Sequence, residues 1–187
     1  MLAYVFWHWP NHEVNEQLYR ERLLDFHQVL AANPPTGFAR SIVFQTESVP
    51  WLKTPGRAFE EWYLLQDSAA LDKLNEAAVT GACEAAHNLV AKDAAGGVAG
   101  LYRLRNGQGK MSDSRFATWF AKPHGMSYKD LYSILAPLSS QDGIALWFRQ
   151  MTLGPTEEFS IHSQTSIALP TTISGQSVTL ENIWAGI

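Results

Sequence analysis

The chain has 187 residues, 46% hydrophobic, 12% aromatic and 17% charged, with a net charge of −4. That is apolar material for one sizeable core, or for two small subdomains sharing one, and the low charge fraction points to extensive burial in the core or against a second subunit. No cluster of Lys or Arg stands out, so nucleic acid is a poor partner; Cys83 is the single cysteine, which excludes an internal disulfide and a Cys-based zinc site.

In chain order, Tyr4–Trp9 is an apolar, aromatic run ended by Pro10, which suits a strand. Met1–Pro10 lacks the basic start and small-residue cleavage site of a signal peptide. No run reaches the ~18 apolar residues of a membrane span, so a cytoplasmic protein with no membrane partner is expected. From Val14 to Ala31 the apolar residues Leu18, Leu23, Phe26 and Leu30 recur near helical spacing, and Asn33-Pro34-Pro35-Thr36-Gly37 stops the helix. Phe38–Thr46 reads as a strand, Glu47–Gly56 as a loop and Ala58–Leu65 as a third strand. Asp67 or Ser68 caps a helix running to about Val90, Gly96-Gly97 breaks the chain, and Val98–Leu104 is a fourth strand. This β-α-β-β-α-β order is the ferredoxin-like pattern. After the link Asn106–Ser114 come a strand (Phe116–Ala121), a helix (about Ser127–Leu138) and two strands (Ile144–Met151, Glu158–Ile167). Leu169–Ile187 reads as strands or loop rather than a second helix.

The two series match in landmarks. A shift of 113 carries Pro10 onto Pro123, Leu18-Tyr19 onto Leu131-Tyr132, and Phe6-Trp7 onto Trp119-Phe120. A shift of 106 carries Gly37-Phe38-Ala39 onto Gly143-Ile144-Ala145, and 97 carries Glu60-Glu61-Trp62 onto Glu157-Glu158-Phe159. A duplicated module is therefore expected: a first ferredoxin-like unit over 1–105, a linker over 106–114 and a second, shortened unit over 115–187.

Two such units resemble the dimeric α+β barrel superfamily, which includes antibiotic-biosynthesis monooxygenases, EthD-like proteins and the chlorite dismutase group. The resemblance rests on element order and the repeat, and covers most of the chain. It implies α+β architecture in which two antiparallel sheets face each other as a barrel with helices outside. It also implies a small organic ligand or haem in some members and self-association in others. Fold and activity are separable.

Candidate site residues follow from strand alternation. In the third strands, Glu60, Trp62 and Leu64 share a face with one another, as do Glu157, Phe159 and Ile161; these faces are expected under the helices. The alternate faces carry Glu61, Tyr63, Glu158, Ser160 and His162. If these faces point inward, Glu61, Tyr63, Glu158 and His162 share a cavity in which carboxylate and imidazole do acid–base work; the plainer reading, a solvated strand face, is favoured. His8 and His12 flank Trp9-Pro10-Asn11 and could line a pocket or bind a metal, although a His pair lacks the further ligands a metal needs. Arg40 and Arg149 lie in apolar strand runs and could clamp an anion, or pair structurally with a neighbouring Glu. Haem would need an axial ligand from His27, His87 or His162, and His27, after Phe26, reads as a surface or cap residue.

The expectation is a small-molecule-binding barrel without cofactor, a monooxygenase- or isomerase-like protein acting on an apolar or aromatic acid. The catalytic candidates are His8, Glu61 and His162; the ligand-binding candidates are Trp7, His12, Arg40, Tyr63, Trp119, Arg149 and Glu158. The alternatives are a non-catalytic, self-associating protein, with a homodimer expected in either case, and a haem or metal protein.

Overall fold

A computed structural model describes residues 1–52, 56–107 and 111–186. The predicted loop Glu47–Gly56, the link 106–114 and the last residue of the second unit fall wholly or partly outside them. The elements are β1 (Leu2–Pro10), α1 (Glu16–Ala32), β2 (Phe38–Thr46), β3 (Ala58–Leu65), α2 (Ala69–Val79), α3 (Glu84–Asp93), β4 (Ala94–Asn106), β5 (Phe116–Phe120), α4 (Tyr128–Ser139), β6 (Ala145–Arg149), β7 (Phe159–Ser163), β8 (Gly175–Thr179) and β9 (Glu181–Gly186). Asn15 and Ser127 begin α1 and α4 by accepting the amides of Leu18 and Asp130, each at 3.1 Å.

All the strands join in one antiparallel sheet, in the order β8-β5-β7-β6-β4-β1-β3-β2-β9. The segments β4-β1-β3-β2 and β8-β5-β7-β6 have the same ferredoxin-like order. Two long runs join the halves. β4 pairs with β1 along Ala94–Arg103 and with β6 along Tyr102–Asn106. The run Gly175–Gly186 does the same from the other half: β8 pairs with β5, Leu180 N–H bonds to Arg115 at 2.8 Å, and β9 crosses to β2. The sheet therefore closes on itself, and no edge along this seam is left bare. The chain has the α+β barrel architecture expected from its element order.

The barrel interior is one apolar cluster built from both halves, with Val5, Trp7, Ile42, Phe44, Trp62, Tyr102, Trp119, Trp147 and Val178. Trp7, Trp62, Trp119 and Trp147 are fully buried there. Their rings meet at centroid distances of 5.0–6.3 Å, mostly edge-on or tilted. Outside, α1–α3 cover β1 and β3 through Leu2, Phe26, Leu30, Leu65 and Leu74, and α4 covers β5–β7 through Phe120, Leu131, Leu135, Phe159 and Ile161.

The expected single helix to Val90 is two helices, because Gly81 adopts φ +58° between α2 and α3. Gly96 and Gly97 do not break the chain but lie inside β4, where a side chain would run into the Trp9 and Phe6 rings of β1. Gly37 and Gly143, matched by the repeat, both have positive φ, +85° and +77°, in the turns before β2 and β6.

The expected faces of β3 are reversed. Glu60, Trp62 and Leu64 point into the barrel, and Glu61, Tyr63 and Leu65 point under the helices. In β7 the expected phase holds, with Ser160 and His162 inward and Phe159 and Ile161 outward. A shift of 97 therefore matches an inward Trp62 to an outward Phe159, and a shift of 113 matches an inward Trp7 to an outward Phe120. A shift of 112 pairs Trp7 with Trp119, Tyr19 with Leu131 and Leu23 with Leu135, all buried. Side chains alternate along a strand, so a one-residue slip exchanges the faces.

Candidate functional site

Two carboxylate–histidine clusters stand back to back across β3. The inner one centres on Glu60, 1% exposed, which accepts the indole N–H groups of Trp7 and Trp62, each at 2.7 Å. His162 Nε2 lies 3.2 Å from the same carboxylate, and His162 Nδ1 lies 3.1 Å from Ser160 Oγ. The order Ser160, His162, Glu60 resembles a nucleophile triad, but all three residues are sealed among barrel side chains, at 0–1% exposure. Its chemistry is structural: Glu60 of one half is tied to His162 of the other.

The outer cluster centres on Glu61. His27 Nε2 meets Glu61 Oε2 at 2.8 Å, and the Tyr63 hydroxyl donates to the same oxygen. His8 Nε2 is 2.5 Å from Glu61 Oε1, in ion-pair contact though not aligned as a hydrogen bond. His8 Nδ1 is 2.6 Å from the Tyr19 hydroxyl, and His27 Nδ1 is 2.8 Å from Ser41 Oγ. Trp184 Nε1 donates to Ser41 Oγ at 3.0 Å. Burial alone would raise the Glu61 carboxyl, but the positive charge that His8 carries when protonated and the His27 hydrogen bond outweigh it and hold Glu61 well below the usual carboxylate range. Burial first, and then Glu61 itself, push the Tyr19 and Tyr63 hydroxyls far above the ordinary phenol.

Local sequence explains the placement. His8 and Glu61 face the same side of the paired strands β1 and β3. Tyr19, Leu23, Phe26, His27 and Leu30 form the buried stripe of α1, while Leu18 is 40% exposed. Phe6 stacks on His8 at 5.0 Å, and Gly97 leaves room for the Phe6 ring.

Above this cluster, between the sheet and α1–α3, is a cavity of about 670 Å³. Its floor includes Tyr4, Tyr19, Glu61 and Tyr63, and its walls and mouth include Leu74, Asp72, Asn75 and His87. No Lys or Arg is among its lining residues, so a carboxylate ligand would find no counter-cation there.

The structure thus brings together His8, Glu61 and Tyr63 of the expected residues. Trp7, Trp119 and His162 lie in the barrel core, on the opposite face of the sheet from Glu61 and Tyr63, so the two groups do not meet in one cavity among the described residues. His12 is exposed, and Arg40 is half-buried with no side-chain hydrogen bond or ion pair among the described residues. Arg149 holds the β6–β7 loop through the carbonyls of Gly154, at 3.3 Å, and Thr156, rather than pairing with a Glu. Glu158 accepts from Tyr128 at 2.5 Å on the α4 side. His27, expected at the surface, is fully buried, and Tyr19, Ser41 and Trp184 were not expected in a site. His8, His27 and His162 each have both ring nitrogens engaged, so none offers haem iron a free lone pair; among the cavity-lining residues only His87 has an uncommitted Nε2.

No family model matches the chain, and no curated protein matches it in sequence. Solved structures do match in fold. A monooxygenase-designated protein from Lactobacillus acidophilus NCFM superposes with a TM-score of 0.63 at 9% identity, over 99% of this chain and 95% of that one. An anthrone oxidase-like protein superposes with a TM-score of 0.58 at 9% identity, over 98% and 92%. At that identity the likeness concerns architecture alone: the chain shares the α+β barrel fold of these structures.

Proposed function

We propose that the helix-side cavity of the first half binds an uncharged apolar or aromatic molecule and removes a proton from it, without a bound cofactor. The observation that carries this reading is the line Tyr19–His8–Glu61, with contacts of 2.6 and 2.5 Å, whose two ends, Tyr19 and Glu61, line the cavity. Glu61, held strongly acidic, is a poor base but a good partner for an imidazolium. The proton leaves a C–H or O–H of the ligand for the Tyr19 oxygen as the Tyr19 proton moves to His8 Nδ1. The products are a ligand anion and a His8 imidazolium paired with Glu61. The Tyr63 hydrogen is committed to Glu61, so the anion is held by the hydroxyl of Tyr4, which lines the same floor.

Two fates of that anion match the expected activity. Reprotonation at another atom gives an isomer. Reaction with dioxygen turns a CH2 group and O2 into C=O and H2O, and the monooxygenase and anthrone oxidase names of the fold neighbours support this second course. The common strand order of the two halves, and the equivalent parts played by β4 and by β8 with β9, support a duplicated module over 1–105 and 115–187.

Anthrone in D2O under argon tests the proton step. The protein should speed deuterium entry at the acidic carbon, and Tyr19→Phe and His8→Gln should slow it by roughly 10²–10⁴-fold. Full exchange in both variants would sink the reading. Oxygen uptake in air then separates oxidation from isomerisation.

A non-catalytic reading has one observation in its favour: the barrel itself is filled. Exposed Met151 (76%) and Leu153 (48%) are the apolar residues such a self-associating protein would use, and light scattering reads the homodimer directly.

A further inference from the structure

We infer that Ser41 and Trp184 are positioning residues that fix His27 as a permanent Nε2–H donor to Glu61, so that His8 alone receives the proton; this rests on the proton-abstraction reading above. The argument is a count of hydrogens. An indole nitrogen only donates, so Trp184 gives its hydrogen to Ser41 Oγ at 3.0 Å. Ser41 is 1% exposed, and its single hydroxyl hydrogen has one acceptor among the described residues, His27 Nδ1 at 2.8 Å. His27 Nδ1 is therefore a lone pair, and its ring hydrogen sits on Nε2, facing Glu61 Oε2 at 2.8 Å.

A second proton on His27 would have to enter at Nδ1. Ser41 would then accept twice, and its own hydrogen would be buried without an acceptor, which is a costly arrangement. His8 is built differently. The Tyr19 hydroxyl has His8 as its only partner among the described residues and lines the cavity. It can donate to His8 Nδ1 in one state and accept from it in the other, turning its hydrogen toward the ligand. Glu61 is thus clamped on Oε2 by His27 and Tyr63, while Oε1 faces the histidine that changes state. Trp184 belongs to β9, so the last strand of the chain completes a site in the first half.

Long-range 15N–1H NMR of the ligand-free protein at neutral pH tests this. In the wild type, His27 should show a protonated Nε2 and an unprotonated, hydrogen-bonded Nδ1. Ser41→Ala should move Nδ1 to the position of a nitrogen without that bond, Ser41→Thr should restore it, and Trp184→Phe should give a smaller displacement. Deuterium entry into anthrone should fall about tenfold in Ser41→Ala, in kcat and not in KM, for one lost hydrogen bond. A protonated His27 Nδ1 in the wild type would overturn the inference even if no variant folds. So would an Nδ1 signal unmoved in a folded Ser41→Ala protein. Correct His27 signals without any exchange in the wild type would instead refute the proton-abstraction reading.

Discussion

Glu60 and Glu61 are neighbours in sequence, both almost fully buried, both bonded to histidine, and they face opposite ways. Glu60 looks into a barrel packed with Trp7, Trp62 and Trp119, where its lone pairs are taken up by indoles and by His162. Glu61 looks out under α1–α3, where a cavity of about 670 Å³ opens above it. Residue types are thus a poor guide to which cluster is functional; access separates them. A buried carboxylate with all its partners inside the core ties the fold together, whereas one at the floor of a cavity can act on a ligand.

Three changes break or sharpen this contrast. The largest effect is expected in the barrel: Trp119→Ala should cost about 3–5 kcal/mol in urea unfolding, as other large-to-small core changes do, while leaving the helix-side cavity in place. Next comes acid. Glu61 has a lower folded value than its unfolded value of 4.5, so the unfolded chain takes up the proton first. Its stabilisation is complete above about pH 4.5 and is lost as pH falls below that, at up to about 1.4 kcal/mol per pH unit. Glu61→Gln should flatten that part of the acid limb in urea midpoints taken at successive pH values; identical slopes would contradict the ionised state. The smallest change in stability, within about 0.5 kcal/mol, is expected for Ala78→Phe at the half-buried cavity wall. It should nevertheless weaken anthrone binding, measured by fluorescence quenching, and equal binding would argue that the ligand lies elsewhere.

Much of the architecture was legible in the sequence because its signals are local. Pro10 ends β1, the Asn33–Gly37 cluster stops α1, and Gly37 and Gly143 mark equivalent turns. The face assignment failed for a physical reason. All eight residues of β3, Ala58–Leu65, are buried, so no alternation of apolar and polar residues tells inside from outside. The site was half legible. His8, Glu61 and Tyr63 came from strand reasoning, but their partners needed tertiary information. His27 had a usable signal: it lies four residues after Leu23 on the stripe that starts at Tyr19, and reading Leu18 as the apolar position hid it. Ser41 and Trp184, 143 residues apart, meet only because β9 crosses to β2, and nothing local announces that.

The most direct measurement is the location of a bound probe. Crystals soaked with anthrone should show it between β3 and the α1–α3 layer, against Tyr19, Tyr63 and Glu61. Density for it inside the barrel, against Trp7 and His162, would contradict the division of the molecule into a filled barrel and a helix-side site.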